Sequence, residues 1–215
     1  MLETMSDFFT ARTDMYDEHM LTEVEGCKEG YAEMASLVPM NAESLLDLGC
    51  GTGLELEPIF SRIPGLKVTG IDLTESMLDK LREKFPDKDM KLICGDYFQV
   101  PFGVEAFECA VSFQTMHHFA KDKKLSLYEK LFDSLKVGGV YIECDYMVLT
   151  QAEEDHWFNE SDKLRYEQGI VGDEFYHYDT PCTVDNQIEL LKKAGFGSVK
   201  QAFRMENTTM LIAEK

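Results

Sequence analysis

The chain has 215 residues, 44% of them hydrophobic, which is enough for one sizeable core and short for two full domains. With 40 acidic against 21 basic residues the formal charge is -19, so a nucleic-acid partner would be repelled unless Lys and Arg gathered on one face, and the densest basic run, Lys121, Lys123 and Lys124, is broken by Asp122. The six cysteines form no CxxC pair, no basic leader opens the chain and no apolar run approaches the ~20 residues that span a bilayer. The expectation is a cytoplasmic protein with reduced thiols and no membrane partner, and no metal-ligating set is read from the sequence.

From Ser44 onward, short apolar runs rich in Leu, Ile and Val alternate with segments of helical period, the pattern of βαβ units around a parallel sheet. Strands are predicted at Ser44 to Leu48 and Leu66 to Ile71, with a helix from about Leu54 to Phe60 between them. The next helix starts after Asp72, with Thr74 as its N-cap, Met77, Leu78, Leu81 and Phe85 on one face, and Pro86 as its stop. Strands at Met90 to Cys94 and Phe107 to Phe113 follow. A helix with Leu125, Tyr128, Leu131, Phe132 and Leu135 on its inner face is expected to stop at Gly138-Gly139, before a strand from Val140 to Val148. Beyond Thr150 the alternation fails in a polar, aromatic-bearing insertion that runs to Pro181. A helix from Val184 to Ala194 and two closing strands, Ser198 to Arg204 and Thr208 to Ala213, end the chain as an antiparallel hairpin.

Three strand ends carry the chemistry. In LLDLGCGTG, Leu45 to Gly53, glycines at alternate positions let the chain turn off the strand and let a ligand lie against bare backbone. The dinucleotide pattern G-x-G-x-x-G would need a glycine at position 54, which is Leu54 here. Asp72 closes the second strand, where it either accepts hydrogen bonds from both hydroxyls of a ribose or caps the helix that follows. Gly95-Asp96-Tyr97 follows the third strand, where a carboxylate and neighbouring backbone can meet the exocyclic amine of a purine.

In order, LDLGCGTG, the acidic end of VTGID, GD after the third strand and LKVGGVYI resemble the motifs of class I S-adenosylmethionine-dependent methyltransferases of the small-molecule type, from about Asn41 to the C-terminus. The resemblance implies a Rossmann-like three-layer α/β sandwich, its seven-stranded sheet mostly parallel with an antiparallel last strand, and S-adenosylmethionine as cofactor. It implies that Gly49, Cys50, Gly51 and Gly53 wrap the methionine part while Asp47 orders the loop from below. Asp72 would hold the ribose, Leu73 and Met77 would flank the adenine, and Asp96 with Tyr97 would read its edge. Residues 1–40 are expected as a helical cap of the single domain, with Tyr16 either touching the methionine end or packing on an apolar face. The insertion, residues 150–182, is either an acceptor lid or plain core around Trp157, Tyr176, His177 and Tyr178.

Phe113 and His117, after the fourth strand, are the candidates to face the sulfonium and the acceptor. His117 acts there as a general base, or the His117-His118 pair is structural. The reaction expected is methyl transfer to a small molecule. A protein or RNA acceptor, a noncatalytic or carboxyl-modified-cofactor protein and a nucleotide oxidoreductase are the other readings. The oligomeric state is not legible.

Overall fold

The computed structural model describes residues 1–172 and 175–215. Seven strands form one sheet: β1 (Ser44–Leu48), β2 (Lys67–Asp72), β3 (Met90–Cys94), β4 (Phe107–Phe113), β5 (Leu135–Tyr146), β6 (Ser198–Met205) and β7 (Thr208–Glu214). Their order is β3-β2-β1-β4-β5-β7-β6. Neighbours from β3 to β5 pair in parallel, whereas β7 runs antiparallel to both β5 and β6. Six strands therefore share one direction and β7 opposes them, as the closing hairpin predicts.

Helices cover both faces, which is why the central strands are apolar almost throughout. On one face α3 (Cys27–Leu37), α4 (Leu56–Arg62) and α5 (Glu75–Lys84) bring Met34, Ile59, Phe60, Leu78 and Leu81 against Leu45, Cys109, Val111 and Ile142. On the other, α6 (Lys121–Ser134) and α8 (Val184–Lys193) bring Leu127, Tyr128, Leu131 and Leu191 against Leu46, Leu48, Ala110 and Tyr141. Successive β1 side chains thus enter opposite cores, the two-residue period of a strand. The sheet order reverses between β2-β1 and β4, and at such a point the C-terminal strand ends leave a crevice for a ligand.

Two short helices, α1 (Met5–Arg12) and α2 (Tyr16–Thr22), are tied onto that edge. Asp17 accepts from Thr52 Oγ1 at 2.5 Å and pairs with Lys84 at 2.5 Å, Asp14 pairs with Lys80 at 2.8 Å, and Thr13 and Ser76 hydroxyls lie 2.8 Å apart. The N-terminus is also stitched to the far segment of the chain, since Met5 N donates to the Phe175 carbonyl and His177 N to that of Glu3.

One expectation is corrected, and one segment without a predicted element takes form. Gly138-Gly139 does not stop α6, which ends at Ser134; both glycines lie inside β5, where the pairing with β4 slips between Phe107 and Cys109. Gly138 has φ +77, and a Cβ on Gly139 would stand 2.8 Å from the Lys136 carbonyl oxygen, so the pair accommodates a bulge. The polar insertion, for which no element is predicted, is mostly α7 (Gln151–Glu167), opened by a capping box between Thr150 and Glu153. It lacks an apolar stripe because it docks through a charge. Glu154, buried on α7, accepts from Thr183 N and Asn186 Nδ2 and pairs with Lys121. Among the described residues no helix is long and apolar enough to cross a membrane.

Candidate cofactor and acceptor site

The turn after β1 is built on left-handed backbone. Gly49 has φ +71, and a Cβ there would meet Thr115 Oγ1 at 2.7 Å, so only glycine lets the turn pack against the β4 end. Gly51 has φ +46, and a Cβ there would make ordinary van der Waals contact with the Tyr16 ring at 3.7 Å and the Gly49 carbonyl oxygen at 3.9 Å. Asp72 at the end of β2 braces this turn: Oδ2 accepts from Gly51 N at 2.9 Å and Oδ1 from Thr74 N at 2.8 Å. Thr74 occupies the N-cap position of α5 but its hydroxyl makes no cap hydrogen bond, and Asp72 instead holds the Thr74 backbone N–H just ahead of the helix.

Carboxylates crowd the loop. Burial pushes Asp72 up to about 6 against the backbone N–H donors that hold it down, and burial pushes Glu55 up to about 7. Asp47, fully buried below the loop, accepts no hydrogen bond on either oxygen, and burial together with the Glu55 charge raises its carboxyl well above the usual range. Three acidic groups facing one glycine turn suit a cationic ligand and disfavour a pyrophosphate. S-adenosylmethionine carries both an ammonium and a sulfonium, so the residues present fit it.

Gly49, Asp72, Leu73, Asp96 and Tyr97 converge on one small cavity of about 60 Å³, closed by Met5, Phe9, Thr115, His118, Phe119 and Phe175. Tyr97 bonds Thr115 through its hydroxyl at 3.0 Å, and Asp96 Oδ1 accepts from Phe98 N at 2.8 Å. Three expected contacts lie elsewhere. Cys50 turns its thiol beneath the loop against Gly70, which leaves only its backbone to meet a ligand. Met77 is buried in the interior, and Phe113 stacks on Tyr31 with centroids 4.0 Å apart; neither lines this cavity or the larger one beside it, because the inward faces of α5 and β4 carry them into the core. At Gly53 a Cβ would clash with Leu81, so that glycine serves helix packing.

Beside it opens a cavity of about 940 Å³, lined by Tyr16, Gln114, His117, His118, Tyr146, His177 and Asp179 among others, with exposed Glu18, Glu23, Glu25 and Glu206 around it. Arg12 is the one Lys or Arg among its described lining residues; it lies 3.7 Å over the Phe8 ring and pairs with Glu3 at 2.9 Å. His117 comes from the one-turn helix Met116–His118 that follows β4, and its Nδ1 lies 2.5 Å from Asp145 Oδ1 on β5. Burial opposes a charge on this ring, but Asp145 and Asp179 outweigh it and raise His117 to about 9. Burial lowers His118, and burial pushes His177 down to about 4. Asp145, His118 and Asp179 were not among the sequence candidates. An acid inside the apolar run of β5 was the available signal for Asp145; Asp179 lies 62 positions beyond His117 and had none.

Residues 45–139 match a family model described as a methyltransferase domain, a span that holds the glycine turn, Asp72, Asp96 and the histidine pair. The carboxy-S-adenosyl-L-methionine synthase of Nitratiruptor sp. is 24% identical over 226 residues, covering 100% of this chain and 95% of that protein. A crystal structure assigned as an O-methyltransferase from Nostoc punctiforme superposes with a TM-score of 0.74 at 17% identity, covering 99% of this chain and 62% of that one. Human N-acetylserotonin methyltransferase in complex with S-adenosylmethionine gives 0.66 at 18% identity, covering 97% and 55%. The chain spans less than two thirds of these two longer structures, and the likeness to them is one of fold. Residues 45–139 carry a methyltransferase domain, and the sheet order and a glycine turn ringed by carboxylates are those expected of class I S-adenosylmethionine-dependent methyltransferases.

Proposed function

We propose that the chain transfers a methyl group to a small neutral or cationic molecule held in the 940 Å³ cavity, with Asp72 holding the cofactor ribose and Asp96 and Tyr97 at the adenine edge. The cavity carries this reading. It adjoins the strand ends, it is of small-molecule size, and its aromatic walls and acidic rim favour an acceptor without negative charge. The acidic balance of the whole chain disfavours RNA.

When bound, the cofactor supplies an electrophilic methyl on a positive sulfur. The chain's own contribution is alignment. Phe9 from the helical cap and His118 line both cavities, so an acceptor held beside them is kept in line and away from bulk water. His117 is proposed to contact that acceptor.

The test is a metabolite-extract screen with radiolabelled methyl donor, the products then separated on cation and anion exchangers. Label in the neutral or cationic fractions is expected. No labelled product from any pool overturns the reading.

One observation favours a second reading: several relatives that align with most of this chain are named carboxy-S-adenosyl-L-methionine synthase. By analogy the chain would add a carboxyl group to the cofactor rather than donate its methyl. A carboxylate donor would need a cation in the cavity, and Arg12, already paired with Glu3, is what the lining offers. Mass spectrometry of the nucleoside recovered from purified protein separates the two, since a carboxylated cofactor has its own mass.

A further inference from the structure

Four side chains from three separate segments meet at the wall of the large cavity. His117, His118 and Asp179 each offer one ligand atom, all within 4.8 Å of one another, and Asp179 Oδ1 is 3.5 Å from His117 Nε2 and 3.4 Å from His118 Nδ1. Ligand atoms about 2.0–2.1 Å from a tetrahedral zinc stand about 3.3–3.4 Å apart, so both spacings are those of a shared ion. The Tyr178 carbonyl oxygen is also 3.4 Å from His118 Nδ1.

The surroundings are those of a built site. Asp145, 2% exposed, takes the Nδ1 side of His117 at 2.5 Å and itself accepts from Tyr146 N, so it orients the ring and leaves Nε2 toward Asp179. A carboxylate behind a ligating histidine is the usual outer partner of a metal site. Thr180 clamps the two segments together, its N–H and hydroxyl both donating to the His117 carbonyl at 2.6 and 2.9 Å. Asp179 Oδ1 is buried and makes no hydrogen bond, its polar neighbours being the two ring nitrogens, while the Asp179 side chain as a whole is 40% exposed toward the cavity.

We propose that His117, His118 and Asp179 form a mononuclear site for a divalent first-row transition-metal ion, with Asp145 as positioning residue and an open coordination position facing the cavity. Two imidazoles and one carboxylate match the donor set of such ions rather than of magnesium or calcium. This deepens the acceptor reading and rests on it in one respect: the open position would take an oxygen or nitrogen of the acceptor. The acidic rim of Glu18, Glu23, Glu25 and Glu206 attracts a cation toward the site.

The test is titration of chelator-treated full-length protein with Co²⁺ alone, followed by its visible ligand-field spectrum. One equivalent is expected to bind with bands stronger than those of the aqueous ion, and Zn²⁺ is expected to abolish them. Asp179→Asn, which keeps the shape, is expected to weaken Co²⁺ binding at least about tenfold while retaining S-adenosylhomocysteine binding as proof of folding. His156→Gln and Cys94→Ser, at exposed positions away from the cluster, should leave the spectrum unchanged. A spectrum no different from aqueous Co²⁺, or equal affinity in Asp179→Asn, overturns the site. Labelled product formed without such a site would sink the metal and leave the methyl-transfer reading standing; a metal site without labelled product would do the reverse.

Discussion

Asp72 is the residue on which the cofactor geometry turns. It already braces Gly51 N and Thr74 N, and it lines the small cavity. Hydrogen bonds to a charged group contribute ~1.5–3 kcal/mol each, so Asp72→Ala should weaken S-adenosylhomocysteine binding by about tenfold or more in isothermal titration. Undiminished binding would remove the ribose role. The ionisation of the loop sets a second outcome. Burial raises Asp72 to about 6 and Glu55 to about 7, and a cationic ligand binds their ionised forms. Affinity for S-adenosylmethionine should therefore rise with pH between about 5.5 and 7.5, and Glu55→Gln should flatten the rise. An affinity independent of pH would mean that these carboxyls do not face the ligand. At this scale the glycine turn and strand-terminal aspartate were legible because backbone conformation and strand ends leave local marks. The burial of Phe113 and Met77 was not, because position after a strand or on a helix does not say which way a side chain points.

Among the elements, α7 shows how a helix can be hidden from periodicity. It buries one acid, Glu154, rather than an apolar stripe, and its local marks are the Thr150 and Glu153 pair that cap it. Thr150→Ala should lower stability by ~1 kcal/mol, read as a reduced midpoint in urea, with S-adenosylhomocysteine affinity unchanged. A change in that affinity would mean that α7 is coupled to the cofactor end. The contacts that seat α1 and α2 over the strand ends are likewise polar, through Thr13, Asp14 and Asp17. The β5 glycines teach the converse: a Gly pair reads as a helix stop, yet here it relieves a bulge that only strand pairing creates.

For the molecule as a whole, acidity governs stability. Glu143, held between Tyr128 and Gln187 in the second core, is pushed by burial to about 7, in company with Asp72 and Glu55. Carboxyls whose folded pKa is raised bind more protons folded than unfolded, so their contribution is present below about 4 and lost as pH rises toward 7. Glu108 and Glu154 run the other way: despite burial, Lys136 and Lys121 help hold both near 2, and their contribution is lost on acidification below about 4.5. Thermal stability without ligand should peak near about pH 5 and fall on both sides, the alkaline fall steepened by a net charge of -19. A stability that climbs from pH 5 to 8 would contradict the burial of these groups.

Sequence alone determined the sheet, its closing hairpin and the cofactor class, because strand alternation, glycine turns and strand-end acids are written within short windows. Tertiary structure alone decided what stands opposite the cofactor. The cavity and the cluster of His117, His118, Asp145 and Asp179 join segments separated by up to 62 positions, and a contact that depends on how layers stack has no local period to betray it.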